Sequence, residues 1–173
     1  MASQTKPPSL AIPSSSPAAN SLMAYQAQDS RMTLRQGLGE YFGRLPGLME
    51  QGELPEDLGI GLRAHDVAHV VFGCDTTLVG EVVLARWSLF GITGSLRPYL
   101  IGIKRRETRG LFRDAFRSFR IADAWRMMRC AVLAIVRSLR MHERWPFEGY
   151  KPYLDQPLCE IRERFGIRVI QAN

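Results

Sequence analysis

A chain of 173 residues, 46% hydrophobic and 23% charged, is long enough for one domain with a substantial core and has the composition of a soluble globular protein. Its three cysteines, Cys74, Cys130 and Cys159, are scattered without a CxxC pair, which argues against a disulfide framework or a cysteine-only zinc knuckle and for a reducing compartment. The net charge is +6, and the longest purely apolar run covers residues 130–136, far below the roughly 20 residues a bilayer-spanning helix needs, so any membrane role is expected to be peripheral.

Residues 1–30 are crowded with Ser, Pro and Ala and carry only Lys6 and Asp29 as charges. Such a segment buries too little apolar surface to order itself, and the reading is a disordered tail. It has neither the basic start nor the continuous apolar core of a secretory signal. No arginine precedes Arg31, which disfavours a mitochondrial leader, although the Ser-rich, acid-poor composition suits one.

Helical patterns dominate from residue 31 onward. Leu34, Leu38, Phe42 and Leu45 recur at intervals of three and four, which predicts a short amphipathic helix that Pro46 can end. The next predicted helix stops near Gly73. Asp75, Thr76 and Thr77 are all good N-caps for a following apolar helix that runs to about Gly91. Val82 and Val83 suit a strand as well, but the caps and the length favour helix. A connector follows, then the longest helical stretch, residues 104–144, with Gly110 as a break point. The C-terminal part is a Pro-rich loop leading into a last short helix. The expected architecture is all-α: a single-domain helical bundle over residues 31–173 behind the tail.

Charge is unevenly placed. Residues 104–144 hold twelve Lys/Arg against four acids, a net of +8, and the remainder of the chain nets −2. Arg106, Arg109, Arg113, Arg117 and Arg120 form one helical stripe, with Phe112, Phe116 and Phe119 on a neighbouring face. A basic amphipathic helix of this kind suits an anionic membrane surface or its lipid headgroups. It equally suits a core-packing helix with a solvated arginine face. No nucleic-acid motif accompanies the basic residues, so no nucleic-acid partner is expected.

The stretch HDVAHVVFGCDTTLVGE, residues 65–81, holds two of the three histidines. On a helix, His65 and His69 project from one face a turn apart, as the pair does in a zinc-binding HExxH helix. Asp66, three residues before His69, can lean toward the same ion or hold a histidine's second nitrogen. Glu81 has to come from the next helix, with Gly80 leaving room for close helix packing beside it. Two histidines plus carboxylates are the donor set of catalytic zinc sites and of open non-haem Fe(II) sites. A helical histidine pair is also met as a surface coincidence or a hydrogen-bonded core pair. His142 lies among Arg140, Glu143 and Arg144 and reads as a solvated residue near a helix end. Cys74 reads as a small core hydrophobe.

The pattern HDxxH, eleven residues, then Glu, with its Gly, Thr and Gly-Glu neighbours, resembles the metal motif of the fourth coenzyme-Q (ubiquinone) biosynthesis protein family. The C-terminal WPFEGYKPYLDQPLCEIRERFGI is similar to that family's closing aromatic loop and PL-x-E-[IL]-R helix, and the resemblance covers about residues 45–169. It implies an all-α fold and a divalent metal, usually zinc, held by His65, Asp66, His69 and Glu81. It also implies a carbon–carbon lyase activity of the 4-hydroxy-3-methoxy-5-polyprenylbenzoate decarboxylase type, in which the same four residues act and hydroxylation sometimes accompanies loss of the C1 carboxyl. Zinc has no redox chemistry, so hydroxylation calls for Fe(II) in the site or for direct reaction of the phenol with O2. The implied partners are a polyprenylated quinone precursor, the membrane and other quinone-biosynthesis proteins, with a homodimer compatible. The location is the cytoplasmic side of a bacterial membrane or the matrix side of the mitochondrial inner membrane. The alternative is a non-catalytic lipid-binding scaffold with a structural metal. The region ahead of the motif is shorter than the family's leading helices.

Overall fold

The computed structural model describes residues 22–43, 56–94 and 121–171. Among these residues lie five α-helices: α1 (Leu34–Gly43), α2 (Glu56–Phe72), α3 (Leu78–Phe90), α4 (Ile121–Ser138) and α5 (Leu158–Phe165). Two 3₁₀ turns, Ala24–Gln26 and Lys151–Tyr153, and a pair of two-residue strands, β1 (Ile92–Thr93) and β2 (Trp145–Pro146), complete the described elements. The molecule is mostly helical, as expected. The parallel β1–β2 pair is an addition. In it the Trp145 N–H donates to the Gly91 carbonyl at 2.8 Å and the Phe147 N–H to Thr93 at 3.2 Å, which ties the chain after α4 to the end of α3.

Helix ends follow from named residues. α1 opens with a capping box: Thr33 Oγ1 accepts from the Gln36 N–H at 3.2 Å, and Gln36 Oε1 accepts from the Thr33 N–H at 2.9 Å, so two orphan donors are satisfied reciprocally. α2 stops where expected. Gly73 takes φ +66°, its N–H reaches the Val70 carbonyl at 3.3 Å, and the Cys74 N–H reaches the His69 carbonyl at 2.9 Å; this is the paired closure of a Schellman motif. α5 closes the same way at Gly166, φ +69°.

Two expected boundaries move. Residues 22–30, expected to belong to the tail, are packed: Tyr25 is fully buried and its hydroxyl donates to the Cys74 carbonyl at 2.9 Å. Glu40 accepts from the backbone N–H groups of Ala24 and Tyr25 at 2.9 and 3.0 Å. One aromatic ring and three long-range hydrogen bonds outweigh the ordering entropy that the local composition suggested. The long helix expected over residues 104–144 is described as α4 and ends at Ser138, where the chain must turn to reach β2. The arginine stripe Arg106, Arg109, Arg113, Arg117 and Arg120, with its phenylalanines, lies outside the described residues, as do Leu45 and Pro46.

One core joins the described elements, from Tyr25 and Leu34 through the α2 valines, Trp87 and Trp145 to Phe165 and Ile170. Gly37 is where α1 crosses α2 most closely: a Cβ there would meet Val70 Cγ1 at 2.7 Å. The least expected core member is Arg162 on α5, with no exposed surface. Its guanidinium donates to the carbonyls of Val71 (2.9 Å), Val70 (3.0 Å), Tyr25 (2.6 Å) and Ala27. It thereby satisfies carbonyls at the α2 C-terminus that the helix leaves open and fastens the 22–30 segment onto that end. Burial pushes its pKa down to about 10, which leaves it charged at neutral pH.

Candidate metal centre

The turn from α2 to α3 sets the position of every candidate ligand. After the Gly73 stop, Asp75 Oδ1 accepts from the Thr77 N–H at 3.0 Å and from Thr77 Oγ1 at 2.6 Å. Thr77 is the N-cap of α3, its hydroxyl accepting from the Gly80 N–H at 3.2 Å. Glu81 therefore falls in the first turn of α3, where the positive end of the helix dipole favours a carboxylate. Gly80 has a different role from the expected helix-packing one. A Cβ at that position would lie 2.1 Å from the Asp75 carbonyl oxygen, so the glycine lets the capping turn fold against α3. Gly80→Ala is expected to shift the first turn of α3, to cost about 1–3 kcal/mol as an overpacked site and to weaken zinc binding. A competitive zinc titration of the variant checks this, and unchanged affinity would separate the turn from the site.

Three side chains converge across this turn. His69 Nε2 lies 3.1 Å from His65 Nε2 and 3.0 Å from Glu81 Oε1, and His65 Nε2 lies 3.6 Å from Glu81 Oε2. All three ligand atoms fall within 4.8 Å of one another. Ligands about 2.0–2.1 Å from a tetrahedral ion stand about 3.3 Å apart, and the observed separations bracket that value. Two imidazole nitrogens and a carboxylate facing one point form a donor set for a divalent cation, with no fourth ligand grouped with them among the described residues. His69 is fully buried, whereas the side chains of His65 and Glu81 are 20% and 26% exposed, so the site is reached past those two residues.

The electrostatics separate the two acids of the motif. Burial pushes the Glu81 carboxyl up, but hydrogen bonds from His65 and His69 outweigh it and hold the group well below the usual carboxylate range. Asp66 goes the other way: burial raises it from 3.8 to about 6, against the lowering pull of His65 and of the Tyr41 hydroxyl. The folded state thus holds the Asp66 proton to higher pH than the unfolded chain does. Its contribution to stability is complete below pH 3.8 and is lost as pH rises through about 6, a swing on the order of 3 kcal/mol. In chelator-treated protein, Asp66→Asn should remove that decline and unfold at higher urea than wild type at pH 8, with no such advantage at pH 3.5. An equal difference at both pH values would refute the assignment.

Of the four residues expected to share an ion, the described geometry groups His65, His69 and Glu81 and leaves Asp66 apart. Adjacent helix positions do not face the same way, and Asp66 instead points at α1, where its Oδ1 accepts from the Tyr41 hydroxyl at 3.3 Å. Asp66 Oδ2 and His69 Nδ1 are both buried with no hydrogen-bond partner among the described residues, so the outer-shell bond between them is not made. Tyr41, which the sequence did not single out, also stacks on the His69 ring at 5.6 Å and so fixes its plane. Its place in the sequence, 25 residues before Asp66, gives no periodic signal. Cys74 stays outside the group as a buried core residue whose thiol burial pushes far up. His142 is exposed and outside it too. Comparison with protein-family profiles, curated proteins and solved structures gave no match for this chain.

Proposed function

We propose that this chain is a metal-dependent enzyme of ubiquinone biosynthesis that removes the C1 carboxyl of a polyprenylated hydroxybenzoate at a membrane surface. The convergence of His65, His69 and Glu81 at separations suited to one divalent ion carries the metal part of this reading. The substrate class rests on the likeness of the HDxxH-x11-E motif to the fourth coenzyme-Q biosynthesis protein family. Bound at these ligands, a divalent ion, zinc or Fe(II), supplies Lewis-acid stabilisation of negative charge on the substrate carboxylate or phenolate.

The chain's own residues divide the remaining work. Glu81, held ionised by its two histidines, is a ligand and not a proton donor. Asp66, whose pKa burial raises to about 6, is buried against Tyr41 and stands apart from the three ligands, so it supports the site and does not donate to the substrate. As the C1–carboxyl bond breaks, its electron pair stays on C1 and takes a proton from solvent while CO2 leaves. Tyr41 holds Asp66 and the His69 ring in place.

The membrane part is supported by α4. Trp125, Met128, Val132, Val136 and Leu139, at helical spacing, are 73%, 61%, 53%, 37% and 68% exposed. Residues 121–142 carry four arginines and one acid, Asp123. A partly apolar face rich in arginine suits an anionic lipid surface. No helix among the described residues is long and apolar enough to cross a membrane. The proposed location is peripheral: the cytoplasmic face of a bacterial membrane or the matrix face of the mitochondrial inner membrane, beside other quinone-biosynthesis proteins.

A second reading keeps the metal and drops the chemistry. The ligands come from α2 and α3, so an ion there would also staple two helices in a lipid-binding scaffold. An assay of CO2 release from the prenylated acid on anionic vesicles separates the two. The enzyme reading expects turnover by wild type and none by His69→Ala. The scaffold reading expects no turnover by either protein, with vesicle and partner binding that weaken when the metal is removed. Equal turnover by His69→Ala would defeat the enzyme reading. On the same vesicles, Trp125→Ala should lower binding about tenfold or more.

A further inference from the structure

A concavity lies where the end of α4, the turn after it and α5 meet. It encloses about 710 Å³ and is lined by Arg137, Arg140, His142, Arg162, Glu163 and Arg168, among others. None of the metal-group residues lines it. Four arginines against one glutamate give its wall a net charge of +3.

The charge is unbalanced in a specific way. Arg162 is buried, and its partners are carbonyl oxygens alone. No carboxylate lies within ion-pair distance of it among the described residues. A buried guanidinium without a counter-ion is costly, and an anion in the adjoining concavity would relieve that cost. Arg137 spends one guanidinium nitrogen on the carbonyls of Arg168 and Val169, at 3.1 and 2.6 Å. This leaves its remaining N–H groups, and those of the exposed Arg140 and Arg168, without protein partners among the described residues. Several guanidinium groups lining one concavity suit a phosphate, whose oxygens accept from more than one fork at once. The volume falls within the range of small-ligand sites, roughly 300–1,000 Å³, and leaves room for an organic group beyond the anion.

We propose that this concavity binds the phosphate group of a small phosphate ester, with Arg137, Arg140 and Arg168 as direct donors and Arg162 as the fixed charge behind them. The site is independent of the metal reading and can fail or stand without it.

The test uses full-length protein with Arg140→Gln and Arg168→Gln combined, both exposed positions whose loss should leave circular dichroism and metal content unchanged. Isothermal titration with inorganic phosphate at low ionic strength should give saturable binding to wild type and at least about tenfold weaker binding to the double variant. A parallel arm uses vesicles containing phosphatidic acid. Variant-sensitive binding to these vesicles that exceeds any loss on phosphatidylserine vesicles, without binding to free phosphate, assigns the phosphate to a lipid headgroup, and the reverse assigns it to a soluble ester. The proposal is overturned by no saturable binding in either arm. It is equally overturned by binding that the double variant retains in full, as it would if phosphate sat at the metal centre.

Discussion

Arg162→Met is expected to destabilise the protein by about 3–5 kcal/mol, the cost of removing the charged partner from a fully buried polar network. The substitution roughly preserves length and apolar volume, so the loss falls on the hydrogen bonds. The carbonyls of Tyr25 and Val71 are left without the donor they have now, while Ala27 keeps its bond from the Ser30 N–H and Val70 its bond from the Gly73 N–H. Lysine should rescue little, because one ammonium cannot reach two separated backbone segments in the way a planar fork does. Urea unfolding at fixed pH gives the number. A change below about 1 kcal/mol, the level of a single ordinary hydrogen bond, would show that the arginine does not hold the 22–30 segment to α2.

The second large effect comes from the metal. With free zinc at a hundred times its dissociation constant, a site present only in the folded state adds about 2.7 kcal/mol. For a chain of this length that raises the melting temperature by roughly 5–10 °C. The rise should disappear on chelation and be absent in His69→Ala, whose remaining ligands cannot close the site. Zinc also binds unfolded histidines and cysteines, so the informative quantity is the difference between wild type and variant at matched free zinc. A variant that zinc stabilises as much as it does wild type would place the ion elsewhere.

Much of the architecture around the site was legible because it is written in short-range chemistry. Gly73 ends α2 through its positive φ, Thr77 caps α3, and Gly91 follows its last residue; each is a local property of a few adjacent residues. The four-residue step from His65 to His69 and the return to Glu81 depend only on helix period and on that turn, and the three side chains do meet. Asp66 is oriented by a contact between helices and not by its sequence neighbours. Its neighbours in sequence suggested a ligand, but its direction was decided by Tyr41 on α1, a contact no spacing encodes. Arg162 is the same lesson at longer range. Its partners Tyr25 and Ala27 lie 137 and 135 residues away, and one of two arginines in a short helix of alternating charges reads as solvated. Tyr25 was hidden for the complementary reason: Ser, Pro and Ala around it made the segment read as a tail, although one ring and Glu40 suffice to pack it.

The measurement that bears most directly on the site is the metal content of purified, zinc-equilibrated protein, wild type beside His69→Ala, after removal of loosely held ions. Wild type should hold close to one zinc per chain, and the variant, shown by circular dichroism to keep its helices, should hold almost none. Equal zinc in both proteins, or none in wild type, would contradict a metal centre built from His65, His69 and Glu81.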